Sequence, residues 1–228
     1  MNYRLSVIIP VLNEARIINS TIDQLVQLDF GGDLEIIVVD GNPGGNTISA
    51  VNHPNVIKVI GAQGRGAQMN KGAAVATGNV LLFLHADTCL GHDALQQIFK
   101  VFDRNDVAGG AFDLEIQSAK KIFRLIEKVA SIRSRLTRIP YGDQAIFLKK
   151  QLFDHIGGFK DIPIMEDVEL MRRIKKAGMP IKLIRRTVRT TSRRWEKEGI
   201  VYGTLRNWTL ITLYLLGVSP EKLNKFYT

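Results

Sequence analysis

The sequence predicts an α/β fold in which helices cover both faces of a mostly parallel β-sheet. Short runs rich in Val, Ile and Leu alternate with longer stretches of helical periodicity in the first half of the chain. These runs are mostly apolar, as expected for strands that are buried on both faces. The 228 residues, 45% hydrophobic and 23% charged, suffice for one such domain with its own core.

The predicted elements follow one another without an internal repeat or a low-complexity tract. Apolar runs predict strands at residues 5–10, 34–39, 56–60, 80–84 and 145–148, and an alternating pattern predicts a half-exposed strand at residues 111–116. Helical periodicity predicts helices at residues 17–26, 68–76, 93–102, 122–136, 166–177 and 200–216. We therefore expect one domain over residues 1–195, followed by a C-terminal helical extension over residues 196–228.

The charge balance and cysteine usage restrict the partners and the compartment. Lys and Arg number 31 against 22 acids, a net charge of +9. This surplus favours anionic partners such as nucleotides, nucleic acid or acidic lipid surfaces, although it also serves solubility alone. The single cysteine, Cys89, allows no disulfide within the chain, which fits a reducing compartment. No signal peptide or bilayer-spanning run is recognised, so the expected location is the cytoplasm.

Two acids follow predicted strands at the edge of the sheet where ligands usually bind. Asp40 ends the second strand and Asp87 lies just past the fourth. The Asp40 carboxylate could accept hydrogen bonds from a base N–H or a ribose hydroxyl. The alternative is an acid that caps the turn formed by the following residues.

The tripeptide His85-Ala86-Asp87 is a candidate metal site. Residues 85 and 87 project to the same side of an extended segment. A carboxylate there could hold a hard divalent cation that bridges a diphosphate, and an imidazole suits Mn²⁺ better than Mg²⁺. A polar residue in a turn is the alternative explanation.

A glycine-containing loop precedes the helix predicted from residue 68. Gly64 and Gly66 would let backbone N–H groups approach an anion, and Arg65 adds a positive charge. The loop lacks the Gly-Lys-Ser/Thr ending of a P-loop, and no dinucleotide-binding glycine pattern follows the first strand. An NAD-dependent oxidoreductase is therefore not expected.

Three further groups lie in the second half. Glu166 and Asp167 begin a predicted helix and are candidates for a general base, or else compensate the helix dipole. Gly142, Asp143 and Gln144 form a polar loop that could line an acceptor pocket, or a simple turn. Arg193 and Arg194 could bind a phosphate, and the indole of Trp195 could stack on a sugar or a base. Alternatively, the two arginines are solvated surface residues.

The order of these motifs resembles the family-2 glycosyltransferases with the GT-A fold. The similarity extends from Leu5 to about Trp195 and is carried by SVIIPVLNE, VVDG, RG with NKG, HAD, GDQ and ED. Within the family the chain is most similar to a bacterial subgroup with HAD, GDQ, MED and RRW motifs. Members of that subgroup are named as arsenosugar-type or carotenoid-type glycosyltransferases.

The resemblance implies a nucleotide-binding half at about residues 1–105 and an acceptor half at about 106–195. It implies a nucleoside-diphosphate sugar donor, a hydroxyl acceptor, a divalent metal (Mn²⁺ or Mg²⁺), an inverted glycoside as product, and no nucleic-acid partner. The donor would meet Pro10, Asn13, Glu14, Asp40, Arg65, His85 and Ala86. The metal would be held by Asp87 with His85. The base falls on Glu166 or Asp167, with Asp167 favoured, and the acceptor side comprises Gly142, Asp143, Gln144, Arg193, Arg194 and Trp195.

The chain departs from the family pattern at three points. The loop after Asp40 lacks the usual second acid and serine, and the metal triplet begins with His85. The glutamine that precedes Arg-Trp in processive members is missing, as are their membrane helices, so a polymerising synthase is not expected. A non-catalytic module that binds nucleotides or anionic lipid surfaces is the alternative function. The glycosyltransferase hypothesis requires Asp40, Asp87 and Asp167 to converge around a single cleft.

The apolar segment at residues 200–216 has two explanations. Trp208 and Tyr214 could lie at a membrane interface with Arg206 facing lipid phosphates, which would place the protein peripherally on the inner face of the cell membrane. Alternatively, the segment is an internal packing helix or a dimer face.

Overall fold

The structure is a computed structural model that describes residues 4–28, 32–103 and 107–227. The strands are β1 (Arg4–Val11), β2 (Asp33–Asp40), β3 (Ile57–Ile60), β4 (Val80–Phe83), β5 (Thr88–Cys89), β6 (Gly109–Gln117), β7 (Phe147–Lys149) and β8 (Ile181–Thr191). The helices are α1 (Ile18–Val26), α2 (Asn46–Ser49), α3 (Arg65–Val75), α4 (Ala94–Phe102), α5 (Lys121–Thr137), α6 (Lys150–His155), α7 (Glu166–Lys176), α8 (Arg193–Glu198), α9 (Ile200–Leu215) and α10 (Pro220–Asn224). A short 3-10 helix spans Gly142–Gln144.

The strands form a sheet with the order β3-β2-β1-β4-β7-β6-β8-β5. The first four strands along the chain are parallel, which confirms the α/β prediction for the first half. In the second half β7 runs antiparallel to β4 and β6, and β5 runs antiparallel to β8. The sheet is therefore mixed: the pairs among β1 to β4 and the pair of β6 with β8 are parallel, whereas β7 and β5 run antiparallel to their neighbours.

The sheet is buried on both faces. On one face Val7 and Ile9 of β1 belong to the same buried cluster as Ile22 of α1 and Ile98 of α4. On the other face Ile8 packs with residues of α3, α6 and α7. This two-sided burial explains why β1, β2 and β4 are apolar at consecutive positions.

Helix α3 lies unusually close to the sheet. A methyl group added to Gly72 would come within 2.5 Å of the Ile8 Cγ2 atom. Glycine therefore lets the helix axis approach β1 more closely than any other residue would. The close approach also positions the N-terminus of α3, which begins at Arg65 rather than at the predicted residue 68, beside the ends of β1 and β2.

Strand β8 was not predicted from the sequence. Its pairing with β6 is parallel, with a register shift between Phe112 and Asp113. Opposite this shift Arg185 and Arg186 interrupt the alternation of buried and exposed residues. A β-bulge breaks the period of two on which strand recognition depends.

The C-terminal helices pack against the loop that precedes α7. Leu210 of α9 and Leu223 of α10 form a buried cluster with Ile164. Helix α8 spans the boundary expected at residue 195, so the chain continues from β8 into the extension without an intervening linker. Within residues 4–28, 32–103 and 107–227, no helix has both the length and the hydropathy needed to cross a bilayer.

Candidate active site

A cleft of about 660 Å³ opens at the carboxyl ends of β1 and β4. Its volume lies within the range of roughly 300–1,000 Å³ that is usual for ligand sites. Because β2 lies on one side of β1 and β4 on the other, this is the switch point where α/β sheets bind ligands. The predicted site residues that line it are Pro10, Glu14, Arg65, His85, Ala86, Asp87, Gly142, Asp143, Asp167, Arg194 and Trp195.

His85 and Asp167 meet at Gly142, although 82 positions of sequence separate them. The Gly142 N–H donates to Oδ2 of Asp167 over 2.6 Å. A methyl group on Gly142 would lie 3.2 Å from Nε2 of His85 and 3.4 Å from Oδ2 of Asp167. Any larger residue at 142 would therefore occupy the space between the two side chains.

The electrostatics of the cleft keep His85 neutral. Burial lowers the pKa of the His85 imidazole to about 4; the Arg65 charge adds to this effect, while Asp87 and Asp167 oppose it. The carboxyl group of Asp143 shows the opposite behaviour. Burial raises its pKa to about 6 against the attraction of Arg133, and the charge of Asp167 adds to the rise.

Asp87 lies in a network of hydrogen bonds and charges. Its Oδ2 accepts from Thr191 Oγ1 at 3.0 Å and lies 3.4 Å from a guanidinium nitrogen of Arg193. The same nitrogen is 3.8 Å from the carboxylate of Glu14. Arg193, expected on the acceptor side, thus contacts two residues expected on the donor side. Burial raises the pKa of Glu14, with Arg193 opposing and Asp87 adding to the rise.

Glu166 and Arg65 form an ion pair beneath the cleft, with Nε of Arg65 3.0 Å from Oε1 of Glu166. The Glu166 side chain is buried, and its Oε2 has no hydrogen-bond partner among the described residues. Burial raises the pKa of Glu166, Arg65 opposes the rise and Asp167 adds to it. Glu166 does not line the cleft, whereas Asp167 does.

Asp40 lies behind the wall of the cleft. It is fully buried, and its Oδ2 accepts from the backbone N–H groups of Thr47 and Ile48 at the start of α2, while its Oδ1 accepts from that of Asn42. Gln68, which does line the cleft, donates to the carbonyl oxygens of Val11 and Val39 at the ends of β1 and β2. The structure therefore brings Asp87 and Asp167 together at the cleft, whereas the Asp40 carboxylate caps the turn that follows β2 and is not among the lining residues.

Asn13 also lies outside the cleft wall. Its Oδ1 accepts from the side-chain amides of Asn42 and Asn46, which ties the loop after β1 to the loop after β2.

Asn13 has a left-handed backbone with φ of 59°, and Ala145 (49°) and Met165 (67°) share this conformation. Each adjoins a predicted site residue, and such backbone strain is most common near functional sites.

Gln144 is fully hydrogen-bonded within the chain. Its Oε1 accepts from Ser134 Oγ and the Tyr141 N–H, and its Nε2 donates to the carbonyl oxygen of Phe112. The side chain is buried and does not line the cleft. Gln144 thus holds the loop that carries Gly142 and Asp143 against α5 and β6.

Sequence reasoning missed Tyr227, which lines the cleft, and Arg133, which packs on the lining residue Tyr141. Arg133 of α5 stacks on the ring of Tyr141, with its guanidinium carbon 3.1 Å from the ring centroid. Tyr227 lines the cleft, and its hydroxyl oxygen accepts a hydrogen bond from Arg194, whose guanidinium carbon lies 4.1 Å from the centroid of the Tyr227 ring. Arg133 was one of several basic residues in a helix, and Tyr227 lies far along the chain, so neither carried a local signal.

Trp195 lies between the cleft and a buried cluster. Its indole packs edge-to-face against Phe123 of α5, with ring centroids 5.9 Å apart, and one side lines the cleft.

The metal-ligand atoms that Asp87 and His85 offer fit a divalent cation in part. A neutral imidazole is the form that binds a metal, and the lowered pKa of His85 maintains it. No group of three or more His, Cys, Asp or Glu side chains arranged to hold a metal occurs in the described part of the chain. A cation here would therefore need further oxygen ligands from a bound diphosphate and water.

Comparisons with known proteins match the chain to glycosyltransferases. The model of the family described as "Glycosyl transferase family 2" matches residues 6–160. An uncharacterized glycosyltransferase of Nostoc sp. is 35% identical over 120 residues, which cover 50% of this chain and 37% of that protein. A PGL/p-HBAD biosynthesis glycosyltransferase of Mycobacterium bovis is 30% identical over 178 residues, covering 68% of this chain and 62% of that protein.

A solved structure has the same fold. The mannosyltransferase PcManGT from Pyrobaculum calidifontis, in complex with GDP-Man and Mn²⁺, superimposes with a TM-score of 0.70 at 21% identity. The match covers 97% of this chain and 67% of that one. The chain spans well under two thirds of the Nostoc relative's length, 37%, so the match concerns a shared domain. With most of its length matched by the family model and with a GT-A fold, the chain belongs to glycosyl transferase family 2.

Proposed function

We propose that this chain transfers a sugar from a nucleoside-diphosphate sugar to a hydroxyl acceptor, with inversion at the anomeric carbon. The observation that carries the proposal is the meeting of His85, Asp87 and Asp167 around one cleft at the ends of β1 and β4, with Arg65 beside them. Such a cleft offers both a site for a diphosphate and a carboxylate that can accept a proton.

The donor lies on the side of the cleft formed by Pro10, Glu14, Arg65 and Asp87. The complex of the mannosyltransferase neighbour with GDP-Man and Mn²⁺ supports a nucleotide-sugar donor and a divalent cation. Asp87 and His85 would hold that cation, which when bound would help neutralise the diphosphate. Asp40 acts indirectly in this proposal, by fixing the loop that borders the nucleotide.

Asp167 is the proposed general base. The acceptor oxygen attacks the anomeric carbon from the face opposite the diphosphate, and its proton passes to the Asp167 carboxylate. The bond from the anomeric carbon to the diphosphate oxygen breaks, and its electron pair leaves with the diphosphate. Arg65 stabilises the developing negative charge, and attack from the opposite face inverts the anomeric centre.

The acceptor lies between the loop of Gly142 and Asp143 and the side chains of Arg194 and Trp195. The hydrogen bonds of Gln144 support its role in positioning that loop rather than in contacting the acceptor. The bacterial subgroup suggested by the HAD, GDQ, MED and RRW motifs stays a prediction.

Replacing Asp167 by Asn tests the base. We expect product formation to fall by about 10²- to 10⁴-fold, the usual contribution of a general base, while donor binding persists. A panel of nucleotide sugars with and without Mn²⁺, assayed by product formation and by donor-dependent thermal shift, separates the two effects. Asp161→Asn, at an exposed position, is the matched control and should leave both readouts unchanged.

Near-normal turnover by Asp167→Asn would refute the base assignment. If the unaltered protein bound a donor but neither transferred nor hydrolysed its sugar, the non-catalytic binding module would be the better description.

A further inference from the structure

Helix α9 presents an unpartnered apolar stripe to solvent. Val201, Leu205, Trp208 and Leu215, with Leu216 just beyond the helix, are each 47% to 77% exposed. The four residues within the helix are separated by four, three and seven positions, which places them on one helix face. The opposite face carries the buried residues Gly203 and Leu210. The helix thus packs along one side and leaves its other apolar side uncovered within the described structure.

Helix α5 has the same organisation. Ile122, Leu125, Ile132 and Leu136 are each 42% to 79% exposed and also recur at helical spacing. Its buried residues are Phe123 and Ser134. Exposed apolar stripes of this size are uncommon on a protein surface that faces only water.

The two helices adjoin each other and the cleft. Phe123 of α5 belongs to a cluster with Trp195 of α8 and Ile200 at the start of α9. Ser134 of α5 donates to Gln144 in the loop that carries Gly142. Asn207, Leu210 and Ile211 of α9 line the cleft directly. Both stripes therefore belong to elements that build the acceptor side of the cleft.

Basic residues accompany the apolar stripe of α5. Lys121 and Lys128 are exposed and lie four and three residues from Leu125, so they are its neighbours on the helix surface. Arg124 and Arg135 of the same helix form ion pairs with Glu127 and Asp113, so Lys121 and Lys128 are the residues that would supply positive charge to a lipid surface. Helix α9 contains no acidic residue. An apolar stripe flanked by cations is the pattern of helices that lie in a membrane interface.

We propose that α5 and α9 dock on the surface of an anionic lipid bilayer and hold the acceptor side of the cleft at the lipid boundary. The apolar stripes enter the interface and the lysines of α5 meet lipid phosphates. A second copy of the chain is the weaker candidate, because a symmetric interface would bring together two surfaces of the same charge on chains of net charge +9. Resting on the proposed function, this docking favours an acceptor hydroxyl carried by an amphiphile.

Vesicle flotation tests the docking. The protein should float with vesicles that contain phosphatidylglycerol, and its binding should weaken about tenfold or more in high salt or with phosphatidylcholine alone. Leu205→Glu with Trp208→Glu should abolish binding by removing the apolar stripe of α9. The matched control is Val26→Glu with Ile60→Glu, which places the same two charges at apolar positions of α1 and β3 that are 59% and 52% exposed.

A second pair of variants tests the charges. Lys121→Glu with Lys128→Glu should reduce binding to anionic vesicles about tenfold or more. Lys100→Glu with Lys176→Glu makes the same change in net charge at exposed positions of α4 and α7, and should reduce it far less. Circular dichroism and urea unfolding confirm that each variant is folded.

Without vesicles, the rate of donor hydrolysis by each of the four variants should stay within about twofold of the rate of the unaltered protein. A failure of docking can therefore be distinguished from a failure of the proposed function. Absence of salt-sensitive vesicle binding would overturn the proposal. Equal losses of vesicle binding in the stripe variants and in their controls would also overturn it. So would a dimer of the unaltered protein that dissociates in the variant Leu205→Glu with Trp208→Glu while this variant still binds vesicles.

Discussion

Glu166 and Asp167 are consecutive residues whose carboxylates face different surroundings. Asp167 faces the cleft and accepts a hydrogen bond from Gly142. Glu166 points beneath it and pairs with Arg65 at 3.0 Å. The two side chains diverge because successive positions on a helix are rotated by about 100°. This geometry supports a chemical role for Asp167 and a supporting role for Glu166.

Replacing Glu166 by Gln should therefore lower stability. The neutral amide keeps the shape of the side chain and leaves Arg65 without its charged partner. Because Arg65 is partly exposed, we expect the free energy of unfolding to fall by about 1–3 kcal/mol. Urea denaturation measures the loss, with Glu221→Gln at an exposed position as control. An unchanged unfolding midpoint would show that the ion pair contributes nothing to stability.

At the scale of elements, Glu35 of β2 joins three segments of the sheet. Its Oε2 accepts from Ser6 Oγ of β1 and from the Thr77 N–H, and its Oε1 accepts from Thr77 Oγ1. Burial by itself would raise the pKa of Glu35, but the hydrogen bonds from Ser6 and Thr77 and the charge of Arg4 outweigh it, so its pKa is lowered. The carboxylate is the form that stabilises the junction.

This shift predicts a specific dependence of stability on pH. A lowered folded-state pKa gives a contribution that is present above the ordinary value of 4.5 and is lost as the pH falls through the folded value. Glu35→Gln should cost about 1–3 kcal/mol of unfolding free energy near neutral pH. The difference from the unaltered protein should shrink on acidification below 4.5 in a series of urea titrations. A difference that is constant with pH would contradict the assignment.

At the scale of the whole molecule, the C-terminal helices complete the core around the start of α7. Leu210 is 2% exposed and packs with Ile164 and Leu223. Met165, which precedes Glu166, packs against the same cluster. The extension therefore supports the segment that carries the proposed base.

A matched pair within α9 checks this role. Leu210→Ala should lower the free energy of unfolding by about 2–5 kcal/mol, the usual cost of truncating a buried leucine. Leu205→Ala removes the same atoms from a 55% exposed position and should cost no more than about 0.5 kcal/mol. Chemical denaturation of both variants gives the comparison. Similar costs at the two positions would indicate that the extension does not pack as described.

Local sequence predicted much of the fold and several cleft residues. Strands β1, β2 and β4 were recognisable because burial on both faces makes them largely apolar. His85 and Asp87 follow β4, and Asp167 begins α7, so local patterns placed them at the ends of elements. The same patterns could not exclude Asp40 from the cleft wall, because a strand-end acid that caps a turn and one that meets a ligand have the same sequence context.

The sequence by itself determined the α/β class, the parallel first half and the identity of the acids at strand and helix ends. Only the tertiary structure decided that β7 and β8 enter the sheet in a mixed arrangement, that Asp167 meets His85 across Gly142, and that Tyr227 reaches the cleft. The physical reason is the separation in sequence of the residues that interact. Periodicity and capping reflect interactions within a few residues, whereas a cleft is formed by side chains that are distant in sequence and that packing brings together.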